Sequence, residues 1–131
     1  MESSTSPTPI PKRTLWTSYV LSAVPVLMLL FSGAMKFIPS PQLNEGFAHL
    51  GWPIGLAPVL AVLELGCTII YLIPRTSVLG AILLTGYMGG AIATHVRIEE
   101  AVYLHVVFGV LIWGGLWLRE ARLRVLIPLK N

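Results

Sequence analysis

Residues 56–73 read LAPVLAVLELGCTIIYLI, an apolar run in which Glu64 is the only charged side chain. Its length is close to the roughly 20 residues that an α-helix needs to cross a bilayer. An ionised carboxylate at the bilayer centre costs at least roughly 2.5–3.5 kcal/mol on insertion scales, and such buried ionisable groups are commonly functional. The stretch therefore predicts a transmembrane helix whose carboxylate faces the protein interior.

Three further apolar runs have a similar length, and turn or charge signals separate the four. The runs cover residues 15–38, 56–73, 78–95 and 101–118. Proline or charged residues, which are typical of helix ends, interrupt them at residues 39–41, 74–75 and 97–100. We therefore predict an all-α fold, an integral membrane four-helix bundle whose spans run up and down, antiparallel to their neighbours. A soluble bundle is the alternative, but its helices would need charged outer faces, which none of these runs has.

The composition of the whole chain also favours lipid over water as its solvent. Its 131 residues, enough for one domain, are 55% hydrophobic and only 11% charged, and no aspartate is present. A soluble domain would carry about a quarter of charged residues. The net charge of +3 comes from basic residues near the ends of the apolar runs and not from a basic stripe, so we expect no nucleic-acid partner.

The basic residues predict the orientation of the spans. Seven of the nine lysines and arginines fall on one side of the membrane if the chain crosses four times, and only Lys36 and Arg97 fall on the other. The positive-inside rule then places both termini in the cytoplasm. We divide the chain into a disordered cytoplasmic tail (1–13), a four-helix transmembrane domain (14–120) and a basic cytoplasmic tail (121–131). The first apolar run is longer than a signal-peptide core, so we expect no cleavage.

The connection between the first two spans contains a short amphipathic helix of its own. Ser40 is a suitable N-cap and Pro41 a suitable first helical residue. Three apolar residues then recur on one face: Leu43, Phe47 and Leu50. We predict a short helix that either lies on the outer membrane surface or caps the bundle by packing on it.

Small and polar residues form stripes on two of the predicted spans. In the first span the stripe recurs at steps of three and four on one helix face: Ser18, Ser22, Pro25, Leu29, Ser32 and Lys36. Such a stripe gains little against lipid, so we expect it to face the bundle interior. In the third span, Gly86 and Gly90 form a G-x-x-x-G pair, which we interpret as close helix packing within the monomer. A dimer interface is the second interpretation of this pair.

Four ionisable residues are candidates for a polar site inside the bundle. Glu64 lies well inside the second span, His95 closes the third, and His105 lies about one turn into the fourth. Together with Lys36 at the end of the first span, they fall toward the outer side of the predicted membrane protein. A buried carboxylate must find a donor or bind a proton, so we predict that Glu64 is buried within reach of Lys36, His95 or His105.

The chemistry of this cluster has several interpretations. It can be structural, with Glu64 pairing to hold the bundle together; it can relay protons; or it can bind the polar head of a ligand. Glu64 and the two histidines are metal ligands by residue type, but no local spacing supports a metal site, and we predict none. Cys67 is the only cysteine, so an intrachain disulfide is excluded and any redox chemistry needs a bound cofactor or a partner chain.

Several short motifs, taken in order, resemble those of a known family. They are SGAMKF at 32–37, LGWP at 50–53, ELG at 64–66, LIP at 72–74 and the stretch from Gly90 to His95. In these motifs the chain is similar to the DoxX-like family of small four-span membrane proteins, over about residues 15 to 120. The resemblance implies that the shared positions of interest are Lys36, Glu64 and His95. The solitary Cys67 argues against a thiol-based redox role.

The resemblance implies a fold and an address more firmly than a reaction. Members of the family are mostly bacterial, which implies the bacterial inner membrane, and the family name derives from a small membrane subunit associated with thiosulfate oxidation coupled to quinone. Our preferred hypothesis is a non-catalytic accessory or binding protein that holds a quinone or lipid in a polar pocket in the outer half of the bundle. The alternatives are a small subunit of a quinone-linked oxidoreductase and a component of a proton or ion pathway. The cofactor is unassigned, and the expected partners are the lipid bilayer and another membrane protein or a second copy of the chain.

Overall fold

The computed structural model describes residues 9–130, and every element within them is helical. The helices are α1 (Lys12–Met35), α2 (Pro41–Leu50), α3 (Ala57–Leu72), α4 (Ser77–Arg97), α5 (Tyr103–Arg119) and α6 (Ala121–Leu126). Single 3₁₀ turns precede α3 at Ile54–Leu56 and α4 at Pro74–Thr76. The predicted all-α fold is confirmed.

Four of these helices are apolar and long, but they differ in length. With their preceding turns, three are long and apolar enough to cross a membrane: Lys12–Met35, Ile54–Leu72 and Pro74–Arg97. The fourth, α5, is equally apolar in character but has only 17 residues, since Val102 and the residues before it belong to the preceding turn. At 1.5 Å per residue, α5 is about 26 Å long.

The four apolar helices pack as a closed ring. α1 contacts α3 and α5, and α4 contacts the same two helices from the opposite side. Their inward faces form a hydrophobic core that includes Leu29, Tyr71, Leu84 and Ile112. The outward faces carry large apolar side chains that no part of the described chain covers, such as Phe31, which is 69% exposed. A surface of this kind is stable only against lipid, so the chain is a multi-pass membrane protein that contacts the bilayer.

The polar stripe of α1 faces the interior, as predicted. Ser18, Ser22, Pro25 and Leu29 are all buried. Ser22 Oγ lies 2.7 Å from the hydroxyl of Tyr71 on α3, and that hydroxyl donates a hydrogen bond to the carbonyl of Ile112 on α5, at 2.8 Å. The stripe therefore connects three helices of the ring by hydrogen bonds.

The prediction that Gly86 and Gly90 pack closely against another helix of the monomer is wrong. A Cβ atom added to either glycine would meet no atom within 4 Å. In α4 the close helix contact lies instead at Gly80, where a Cβ would collide with the backbone of Tyr71 and Ile70 on α3. Small residues permit a close approach, but the direction in which a helix faces decides which of them makes one.

The short amphipathic helix is present as α2. Ser40 caps it by accepting a hydrogen bond from the backbone N–H of Leu43, at 3.1 Å, and Gly51 ends it in a left-handed conformation with φ of 77°. Phe47 is buried, which agrees with the interpretation that α2 caps the bundle. Arg97, at the end of α4, donates a hydrogen bond to the carbonyl of Leu50 and so ties the end of α2 to the bundle.

The chain ends depart from the simple division into tails and bundle. Lys12 and Arg13, which the sequence assigns to the N-terminal tail, already belong to α1, and residues 1–8 of that tail lie outside the described residues. In the basic segment 121–131, residues 121–126 form α6 and pack against α5 through the buried Leu123. Arg124 strengthens this contact because its Nε donates to the carbonyl of Trp117, at 3.1 Å.

Candidate functional site

A cavity of about 490 Å³ lies between the four apolar helices, at the end opposite the start of α1 and the end of α5. All four apolar helices line it, and Phe47 and Leu50 of α2 cover part of its mouth. The four ionisable residues predicted from the sequence all line its wall: Lys36, Glu64, His95 and His105. We call it the polar cavity.

Glu64 and Lys36 form a buried ion pair on one side of the polar cavity. The side chain of Glu64 is buried, and its Oε2 lies 2.7 Å from Lys36 Nζ, so the predicted pairing of Glu64 is confirmed. Lys36 Nζ also donates to Ser32 Oγ, at 2.8 Å, which is possible because the two residues lie one turn apart on α1. The hydroxyl of Tyr87 on α4 donates to the same carboxylate oxygen, at 3.4 Å.

The position of Glu64 follows from the sequence of α3. The buried residues of this helix recur at steps of three and four: Ala57, Ala61, Glu64, Thr68 and Tyr71. Thr68 donates its hydroxyl to the carbonyl oxygen of Glu64, at 2.7 Å, and so satisfies its own buried oxygen within the helix. The carboxylate is therefore placed on the inward face by the same periodicity that buries its neighbours.

His95 and His105 form the second polar group in the cavity. Their ring centroids lie 4.4 Å apart, with the planes tilted by 45°. His95 Nδ1 lies 2.7 Å from the carbonyl oxygen of Ala91, which requires that this nitrogen carry the proton and donate. Nδ1 of His105 is enclosed and has no hydrogen-bond partner among residues 9–130.

The structure therefore brings the four predicted residues together as two pairs, not as one hydrogen-bonded cluster. No hydrogen bond joins the Lys36–Glu64 pair to the two histidines within the described part of the chain. Both pairs border the same cavity, so a molecule inside it would meet an ion pair on one wall and imidazole nitrogens on another. The described residues hold no group of three His, Cys or Glu side chains arranged to bind a metal ion.

A third pair lies beside His95, outside the residues that line the polar cavity, and was not predicted. His49, on the exposed side of α2, hydrogen-bonds through Nε2 to Oε1 of Glu100 in the turn between α4 and α5. This hydrogen bond is the main cause that lowers the pKa of Glu100 below its ordinary value. The other carboxylate oxygen of Glu100 lies 4.0 Å from Nε2 of His95, so the His49–Glu100 pair adjoins the histidines of the polar cavity.

Two residues escaped the sequence analysis for different reasons: Tyr87, on the wall of the polar cavity, and His49, outside it. Tyr87 stands in an apolar run where an aromatic ring is an ordinary core residue, although it shares a helix face with Ala91, Thr94 and His95, and that register was a usable signal. His49 lies on the polar side of α2, and nothing in the local sequence shows that this side meets Glu100, about fifty residues later.

Comparison with curated proteins and with solved structures finds no significant match. The model of the DoxX-like family matches residues 20–115, a range that holds all four predicted site residues and well over half of the chain. The apolar helices and this match agree on a small membrane protein. The chain belongs to the DoxX-like family.

Proposed function

We propose that this protein is a non-catalytic accessory or binding protein of the bacterial inner membrane. Its polar cavity would hold a small lipophilic molecule with a polar head, such as a quinone or a lipid. The observation that carries the proposal is the polar cavity itself, which brings the Lys36–Glu64 ion pair and the two histidines to the wall of one space that a ligand can enter. A carbonyl or hydroxyl group on the ligand would hydrogen-bond to these polar side chains.

The walls of the polar cavity suit such a molecule. Binding sites for small molecules are typically about 300–1,000 Å³, mostly apolar, and carry a few polar groups that fix the ligand's orientation. Here Met28, Leu60 and Phe108 supply apolar surface, and the charges of Lys36 and Glu64 neutralise each other. A neutral head group can therefore bind without burying an uncompensated charge.

Two glycines of α4 form part of the wall of the polar cavity. Gly86 and Gly90 line it, and an added Cβ at either would enter open space. The absence of a side chain at these two positions keeps this part of the cavity wall open. A flat ring has room to lie against this bare backbone.

The experiment is gentle extraction of the full chain followed by mass spectrometry of the bound small molecules. The wild type should release a lipophilic compound in stoichiometric amount. Gly90→Leu fills the cavity and should abolish retention, whereas Gly89→Leu on the same helix, which also meets no atom within 4 Å but lies outside the cavity wall, should retain it. Equal retention by both variants would place the compound elsewhere, and a wild type that releases nothing would contradict the proposal.

We further propose that both termini lie in the cytoplasm, which places the polar cavity in the outer half of the membrane. The distribution of lysine and arginine supports this orientation. Single-cysteine variants in a Cys67→Ser background test it. A cysteine at Lys130 should resist a membrane-impermeant thiol reagent in intact cells, and a cysteine at Gln42 should react. The reverse pattern would overturn the orientation.

A second candidate function is a proton pathway, because neighbouring titratable side chains extend from the surface to the polar cavity. His49 is 63% exposed, Glu100 38% and His95 21%, and His95 then stacks on His105. Imidazole and carboxylate side chains are the groups that proteins commonly use to pass protons. Proteoliposomes with an internal pH dye distinguish the two functions. Proton flux that Glu100→Gln removes would favour the pathway, whereas no flux and a bound ligand would favour the binding protein.

A further inference from the structure

Another cavity lies at the opposite end of the bundle, near the start of α1 and the end of α5. It measures about 410 Å³ and is enclosed by α1, the end of α3 and the end of α5, with Arg119 on its wall. We propose that this Arg119 cavity is a binding site for an acidic phospholipid, whose phosphate is held by the Arg119 guanidinium. The proposal concerns a site separate from the polar cavity and does not depend on the function proposed above.

Arg119 is held in place but is not neutralised. Its Nη1 donates to Ser22 Oγ at 2.7 Å and to the carbonyl of Ser18 at 3.5 Å. The guanidinium carbon lies 5.4 Å from the ring centroid of Tyr71 and 5.6 Å from that of Tyr19. These contacts hold the guanidinium close to two aromatic rings, while no carboxylate among residues 9–130 forms an ion pair with it.

The one acidic residue of the Arg119 cavity is engaged elsewhere. Glu120 lines the cavity, but its Oε1 accepts from Nε of Arg122 at 3.2 Å and from the backbone N–H of Arg122 at 3.4 Å. It thereby caps α6. The other described glutamates belong to the far half of the bundle or to its opposite end, so this end carries a clear excess of positive charge. A partly desolvated cation in such a place attracts an anion.

The lining of the Arg119 cavity favours the phosphate of a lipid over free inorganic phosphate. Leu15 and Ala23 line its wall, and the outward-facing Leu27 and Leu72 lie at its rim, 65% and 50% exposed. The cavity is therefore continuous with the lipid-facing surface, so acyl chains can lie along α1 while the head group reaches Arg119. Arginine suits this task because its fork of N–H donors matches two phosphate oxygens at once. Basic pockets between transmembrane helices are known to recognise acidic head groups in this way.

The test uses native mass spectrometry of the full chain with phosphatidylglycerol and phosphatidylcholine of identical acyl chains. The wild type should prefer phosphatidylglycerol, and Arg119→Gln should reduce that preference about tenfold, the effect of losing a hydrogen bond to a charged group. Arg75→Gln removes the same charge from the same end of the bundle, but Arg75 lies outside the cavity and should change the preference by less than about twofold.

Several outcomes would overturn the proposal. Equal binding of the two lipids by the wild type would do so, and an equal loss in Arg75→Gln would show diffuse attraction and no site. Inorganic phosphate tests whether the site binds a free anion. If it raises the melting temperature of the protein as much as phosphatidylglycerol does, the assignment to a lipid is wrong. Should Arg119→Gln fail to fold, Arg119→Lys keeps the charge but loses the fork. It should fold and still bind phosphatidylglycerol several-fold more weakly, and an unchanged preference would contradict the site.

Discussion

The Lys36–Glu64 pair shows how much can be predicted about one residue from the free-energy cost of burying its charge. Glu64 stands alone in an apolar run, so the energy of burying an unpaired charge predicts a partner, and Lys36 is that partner at 2.7 Å. The choice between Lys36 and a histidine depends on how the helices are rotated, which the sequence does not contain. Whether the pair also takes part in ligand binding stays a prediction.

Glu64→Gln should destabilise the protein, because it leaves the Lys36 ammonium without its counter-charge. Removing one member of a buried pair typically costs about 3–5 kcal/mol, and we expect roughly 3 kcal/mol because Lys36 retains its bond to Ser32. The measurement is the thermal midpoint in detergent. The double variant Lys36→Met/Glu64→Leu should recover most of the loss, since it removes both charges. A midpoint that Glu64→Gln leaves unchanged would mean that the pair is not ionised.

Glu100 provides a pH-dependent prediction outside the membrane spans. Because its hydrogen bond from His49 lowers its pKa, the folded state favours the ionised carboxylate. The resulting stabilisation is present above the carboxylate's ordinary pKa and is lost as the pH falls through the lowered value of the folded state. A carbon-13 NMR titration should show the pKa of Glu100 rising toward its ordinary value in His49→Ala. The stability difference between wild type and His49→Ala should shrink in acid and should be absent in a Glu100→Gln background.

At the scale of the helices, the sequence predicts what local chemistry controls. The cap at Ser40, the proline after it and the spacing of apolar residues predicted α2, and the structure has it at Pro41–Leu50. The G-x-x-x-G pair did not predict the packing correctly, because a small residue permits a close helix contact but does not require one. Gly80, which does make the close contact, has no motif of its own and is visible only once α3 and α4 are paired.

The contact at Gly80 predicts opposite effects for two alanine substitutions in α4. Gly80→Ala drives a methyl group into the backbone of α3, which cannot rotate away, so it should destabilise the protein by roughly 3 kcal/mol. Gly89→Ala meets open space and should be neutral or stabilising by up to about 1 kcal/mol through helix propensity. Thermal midpoints of the two variants in the same detergent decide the matter. A similar loss in both would refute the close contact.

For the whole molecule, hydropathy and amino-acid composition predicted a membrane protein, and the structure adds the ring of four helices. The two cavities were out of reach of the sequence. A cavity arises where side chains from several helices fail to fill the space between them, so its place depends on all the helix rotations at once. The polar residues on its wall could still be predicted, because an ionisable group inside a span must be accommodated somewhere.

The length of α5 has a consequence for the membrane around the protein. Its 17 residues cover about 26 Å, whereas the hydrocarbon core of a typical bilayer is about 30 Å thick. On this side of the ring the protein is hydrophobically mismatched, and lipids next to α5 must thin or the bundle must tilt, at a fraction of a kcal/mol per Å. In phosphatidylcholine vesicles the thermal midpoint should therefore be higher with dimyristoleoyl chains than with dierucoyl chains. A midpoint that rises steadily with the length of the lipid acyl chains would contradict the mismatch and show that α6 extends the apolar span. If the mismatch holds, the protein should gather in the thinner regions of its membrane.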